Sequence, residues 1–247
     1  MTAVLELAQE TTYIDVGERK MPAYVARPHG DGRYPAVVLL EGLYGFDDEV
    51  RRVTDLVASV GYVGLAVNYF YRLDPHFCEP FTPAGQACGI EATKSIRVAE
   101  LQADLEATRD WLMSRAYVDP ARIAAWGFGF GGAAAFTAAC IPGYQVVAAF
   151  YPQSIGKPLP SGDPAPIDAA RSLRAPMLLF FGGRDETIKR REILQLKHKL
   201  QEASKRCDVQ LYETVGHSFF RQYHSASHST EIADAWERVQ AFFKVNL

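Results

Sequence analysis

The stretch AVVLL, residues 36 to 40, places five apolar side chains in succession. Side chains alternate between the two faces of a strand, so such a run suits only a strand covered on both sides. That demand points to a parallel sheet between layers of helix. Comparable runs recur at 63 to 70 (VGLAVNYF), 122 to 129 (RIAAWGFG), 145 to 151, 176 to 182 and 209 to 215. Between them lie longer segments with helical patterning. Helices are expected at 47 to 60, with Asp47 and Asp48 as caps, at about 91 to 116, and from GGAAAFTAAC. Two more are expected near 187 to 205 and 230 to 245, the last capped by Ser229 or Thr230. With an opening hairpin at 11 to 28, the pattern predicts an α/β fold with a mostly parallel central sheet and helices on both faces.

Length and composition fit that architecture as one domain over residues 1 to 247, since 48% hydrophobic residues suffice for a full core. Residues 71 to 90 form a Pro-containing segment expected to be an irregular lid, with His76, Phe77 and Phe81 shaping a pocket. A formal net charge of -3 gives no electrostatic footprint for nucleic acid or an anionic membrane. No apolar run approaches the roughly 20 residues of a bilayer crossing. The four cysteines, Cys78, Cys88, Cys140 and Cys207, lack CxxC or metal spacing, and no signal-peptide pattern is present. These features predict a cytoplasmic protein; a monomer or homodimer acting without a cofactor is the accompanying expectation. The histidines of HSASHST, His224 and His228, suit no metal geometry, so no metal is expected either.

In such sheets ligands gather at the carboxyl ends of the strands. Three of those ends carry a chemical pattern. AWGFGFGG, residues 125 to 132, is a tight strand-to-helix turn of the kind that presents a nucleophile, with small residues at Gly127, Gly131 and Gly132. Its central position, Gly129, has no side chain. MLLFFGGRDET delivers Asp185 and LYETVGHSFFR delivers His217. Turn, acid, histidine is the chain order of the α/β-hydrolase triad. A carboxylate beside the histidine holds the imidazole in one tautomer and stabilises its charged form. Taken singly, Asp185 reads as a helix cap and His217 as a loop residue; their joint placement favours the catalytic reading. Amides of Leu43 and Phe130 would form an oxyanion hole. Tyr151, at its strand end, is a candidate for the pocket wall.

Gly127, Gly129 and Gly132 also satisfy the dinucleotide fingerprint G-x-G-x-x-G. That motif needs an acidic residue at the end of the next strand, and AAFYPQ supplies none. A dinucleotide-binding oxidoreductase is therefore the remote alternative.

On GFGFGG, EGLYG, NYFYR, FGGRDE, GHSFFR and AWERVQAFF, the chain resembles the dienelactone hydrolase family over nearly its whole length. The resemblance implies an α/β-hydrolase fold and hydrolysis of a small carboxylated lactone or ester. The family elbow reads G-x-C-x-G-G, so Gly129 stands where the resemblance places the nucleophilic cysteine. It further implies that Arg72 and Arg221 hold the substrate carboxylate. The family glutamate that interacts with that cysteine corresponds to Gly42, with Glu41 one place earlier. A shift of one residue reverses the face of a strand, which leaves the reach of Glu41 open. Glycine at the elbow leaves three functions: a hydrolase disabled by substitution, a homologue using His217 and Asp185 as a general base for hydrolysis, isomerisation or cyclisation, and a ligand-binding protein.

Overall fold

The computed structural model describes residues 6–223, 225 and 229–247. Its centre is an eight-stranded sheet in the order β1-β2-β4-β3-β5-β6-β7-β8. β1 (Leu7–Val16) and β2 (Arg19–Pro28) form an antiparallel hairpin, and β2 also runs antiparallel to β4 (Val63–Val67). β3 (Tyr34–Leu40), β4, β5 (Val118–Phe128), β6 (Val146–Phe150), β7 (Met177–Gly182) and β8 (Cys207–Tyr212) are mutually parallel. Every residue of β4, β6 and β7 is buried, as unbroken apolar runs require.

The helices are α1 (Asp48–Ser59), α2 (Pro83–Thr93), α3 (Val98–Met113), α4 (Phe130–Cys140), α5 (Arg190–Glu202) and α6 (Thr230–Asn246). Asp47 caps α1, accepting from the amides of Glu49 and Val50 at 3.0 Å each. Val50, Val53 and Val57 bury one face of that helix. α6 packs Trp236 in parallel over Trp126 of β5, with ring centroids 5.5 Å apart. No helix among the described residues is long and apolar enough to cross a membrane.

Two boundaries depart from expectation. The segment 71 to 90, expected to be irregular, contains most of α2, started by Pro83 and capped by the Thr82 hydroxyl, which accepts from the Gly85 amide at 3.1 Å. The single helix expected at 91 to 116 is two helices. α3 begins afresh at Val98, whose amide donates to the Asp163 carboxylate at 3.1 Å. His224 and His228 lie outside the described residues.

Strand order places the functional cleft. From β3 the chain moves one way to β4, then returns to the other side of β3 as β5 and continues outward through β6 to β8. The carboxyl ends of β3 and β5 therefore flank a switch point, where loops diverge and leave a crevice.

Candidate active site

Gly129 sits at that crevice, between β5 and α4, with φ 56° and ψ -118°. This left-handed conformation is strained for a residue with a side chain and free for glycine. Three hydrogen bonds pin the corner: the Gly129 amide donates to Phe150 O at 3.0 Å, and its carbonyl accepts from Gly132 at 3.0 Å and Gln153 at 2.9 Å. A Cβ built on Gly129 would meet only Gly42 Cα at 3.8 Å and Gln153 Oε1 at 3.9 Å, ordinary van der Waals contact. The space for a side chain is present, and the side chain is not.

Gly131 has the opposite character. A Cβ there would run into the carbonyl oxygens of Leu40 and Glu41, so α4 can seat against the end of β3 only with glycine. Gly131→Ala is expected to lower stability by about 3 kcal/mol or more, measured as a shift in the urea midpoint at unchanged m-value.

His217 and Asp185 meet as the chain order suggests. His217 Nδ1 lies 2.7 Å from Asp185 Oδ2. The other carboxylate oxygen, Oδ1, accepts from the amides of Thr187 at 2.7 Å and Ile188 at 2.9 Å. Asp185 is thus both the cap and the partner of the imidazole, one oxygen for each task. Burial pushes its carboxyl upward, but the hydrogen bond and charge of His217 and the two amides outweigh it and hold Asp185 below the usual carboxylate range. With Nδ1 engaged, Nε2 is the nitrogen left for chemistry. The Tyr151 ring, buried at φ 38°, sits 5.1 Å from the imidazole centroid and fixes one side of it.

The cavity is lined by Glu41, Leu43, Asp47, Glu49, Gly129, Tyr151, Gln153, His217 and Arg221, among others. Its volume is small, about 60 Å³. Tyr44, Gln86, His217 and Ser218 also line a neighbouring, wider cleft of about 440 Å³ bordered by Phe81 and Arg184. Leu43 follows β3 on one wall, and Phe130 opens α4, where amides of the first turn have no helical acceptor. The α4 N-terminus also turns its positive dipole end toward the elbow.

The two arginines have different fates. Arg221, from a 3-10 turn at Phe219–Gln222, reaches the cavity, but its Nη2 is bonded to Asp47 Oδ2 at 2.6 Å and its guanidinium lies 4.5 Å over the Phe81 ring. Arg72 does not line the cavity. Its fork grips Asp104 of α3 through two bonds of 2.6 and 2.8 Å, and the Tyr71 hydroxyl completes the cluster at 3.0 Å. Arg72, which the resemblance implies as a substrate ligand, thus has a structural partner: its planar guanidinium serves the buried carboxylate of Asp104. Arg72→Ala would strand that carboxylate and is expected to cost about 3 kcal/mol, seen in the denaturation midpoint rather than in KM.

Glu41 does reach the site. It is 4% exposed, lines the cavity, and its Oε1 has no hydrogen-bond partner among the described residues. Burial, reinforced by Asp47, pushes its carboxyl well above the usual carboxylate range against the pull of Arg221 and of the Gly45 and Gly42 backbone amides. Phe81 borders the outer cleft, Phe77 is core, packed 4.7 Å from Phe70, and His76 is exposed. Sequence reasoning missed Glu49, Gln86 and Gln153. Gln153 was findable, since it stands three residues beyond the end of β6, where ligands gather. Gln86 lies in α2, which the expected irregular segment concealed.

The dienelactone hydrolase family model matches residues 21–247. A Synechocystis protein named as a carboxymethylenebutenolidase is 28% identical over 240 residues, covering 96% of this chain and 98% of its own. A protein of the same name from Escherichia coli is 28% identical over 229 residues, covering 91% and 82%. Among solved structures, one described as a dienelactone hydrolase from Klebsiella pneumoniae superposes with a TM-score of 0.86 at 26% identity, over 97% of this chain and 99% of that one. An α/β-hydrolase sheet, an elbow at the switch point and a family match spanning β2 to α6 agree: the chain belongs to the dienelactone hydrolase family of hydrolases.

Proposed function

We propose that the protein hydrolyses a small lactone or ester by direct attack of water, without an acyl-enzyme. The observation that carries this reading is the elbow itself: the left-handed corner and the open volume beside it persist at Gly129, next to an intact His217–Asp185 pair. A water occupying the volume of the absent side chain stands between the imidazole and a bound carbonyl. His217 Nε2 takes the water proton as the oxygen adds to the carbonyl carbon, and the tetrahedral oxyanion is received by the Leu43 and Phe130 amides. Collapse breaks the acyl–oxygen bond, and the leaving alkoxide takes the proton back from the imidazolium. Asp185 steadies the charged ring throughout.

The resemblance implies a carboxylate on the substrate. That group would meet only Arg221 in the cavity, already paired with Asp47, so the carbonyl and not the carboxylate is the feature this reading requires. Steady-state hydrolysis of an activated ester and of a dienelactone tests the proposal. Turnover above the buffer rate that disappears in His217→Ala is expected; equal rates in the two proteins would overturn it.

A further inference from the structure

Gln153 belongs to no part of the turn, acid and histidine pattern, yet its side chain stands at the vacated nucleophile position. Around a Cβ built on Gly129, two atoms of the described residues come within 4 Å beyond the immediate chain neighbours: Gly42 Cα at 3.8 Å and Gln153 Oε1 at 3.9 Å. Oε1 is the polar one. Gln153 is half-buried and lines the cavity together with Gly129 and His217, so its carboxamide borders the space that a nucleophilic side chain would fill.

The root of that side chain is fixed to the elbow. Gln153 follows β6 between two non-glycine residues in left-handed backbone, Tyr151 at φ 38° and Ser154 at φ 61°. Such conformations persist only where the surroundings hold them, and they cluster at functional sites. Here the Tyr151 amide donates to Phe180 O at 2.7 Å and the Gln153 amide to Gly129 O at 2.9 Å. Pro152 packs so closely on Gly132 of α4 that a Cβ there would come within 2.6 Å of it. The carboxamide is thereby carried on the same rigid corner as the glycine.

We infer that Gln153 orients the attacking water, its Oε1 accepting a hydrogen bond from the O–H that His217 leaves intact. The inference rests on hydrolysis by direct attack of water. A water in the vacated volume carries two protons. His217 Nε2 takes one as the oxygen bonds to the substrate carbonyl carbon; the other, held by Oε1, stays on that oxygen through the tetrahedral intermediate and departs with the product acid. The proton on the imidazolium goes to the leaving alkoxide as the acyl–oxygen bond breaks. With one O–H aimed at the imidazole and the other at Oε1, the attacking lone pair is turned toward the carbonyl. A carboxamide accepts a hydrogen bond without taking the proton, so Gln153 does not compete with the base. Glutamine side chains orient attacking waters in GTP hydrolysis by the same chemistry. A cysteine at position 129 would need no such help, because its sulfur is oriented by its own covalent bond.

Gln153→Leu, which keeps the bulk and loses the acceptor, and Gln153→Glu, which keeps the acceptor, test this against the unaltered chain in steady-state hydrolysis of an activated ester. The leucine variant is expected to lose at least about tenfold in kcat, with KM within about twofold and an unchanged thermal melt. The glutamate variant is expected to recover most of that loss. Should leucine lower the melt, Gln153→Ala takes its place. In the Gly129→Cys background the leucine substitution is expected to slow the acylation burst by less than about twofold, since sulfur and not water attacks there. If that background gives no burst, the kcat and KM split and the glutamate rescue decide alone. A leucine variant as fast as the parent, a loss confined to KM, no recovery with glutamate, or a burst slowed as much as water turnover would each overturn the inference and leave hydrolysis by water standing. A parent without turnover would bring down the hydrolytic reading and this inference together.

Discussion

Gly129→Cys is expected to raise hydrolysis of an activated ester by at least about 10²-fold and to introduce a burst of acyl-enzyme. The expectation rests on the corner and on the pair beside it. The corner already holds φ 56° and ψ -118°, a new Cβ meets nothing closer than 3.8 Å, and the His217–Asp185 pair is formed. The same substitution is expected to lower stability by about 1–3 kcal/mol, because a side chain must then occupy left-handed backbone. Gly129→Ala separates the two effects: it carries the conformational cost without the thiol, so stability falls and activity does not rise. A cysteine variant as slow as the parent would show that the imidazole or the oxyanion amides are misplaced for chemistry.

Asp185→Asn is expected to reduce the turnover of the unaltered chain by up to about 10⁴-fold, with ligand binding preserved. An amide at this position no longer stabilises the imidazolium and can hold the ring in the wrong tautomer. The substitution should also change the acid limb of the stability profile. The Asp185 carboxyl in the folded protein titrates below its ordinary 3.8, so folding opposes its protonation. Its stabilisation is complete above that ordinary value and is lost as the pH falls through the lower folded value. Denaturant midpoints across this acid range should therefore fall less steeply for Asp185→Asn than for the parent.

The parallel core was legible because strands covered on both faces must be continuously apolar, and AVVLL, VGLAV and MLLFF admit little else. The site followed from the sheet: once β5, β7 and the loop after β8 were placed, Gly129, Asp185 and His217 had to meet at one rim. What stayed hidden depended on partners far along the chain. The break between α2 and α3 is stabilised by Asp163, whose carboxylate supplies the Val98 amide and pairs with Arg97 at 2.9 Å across more than sixty residues. Local patterning carries no trace of that cap. Arg72 reads as a free cation until α3 brings Asp104 beneath it. Glu41 could not be assigned to a face because the strand ends at Leu40, where the alternation that would orient it stops.

Hydrolysis without a nucleophilic side chain is most directly tested by intact-protein mass spectrometry of the unaltered chain, quenched during steady-state turnover of an activated ester. Continuous product formation with no mass added to the protein is the expected result, against an acyl adduct on Gly129→Cys under the same conditions. A covalent adduct on the unaltered chain would contradict direct attack by water, as would a bound ester that is never cleaved.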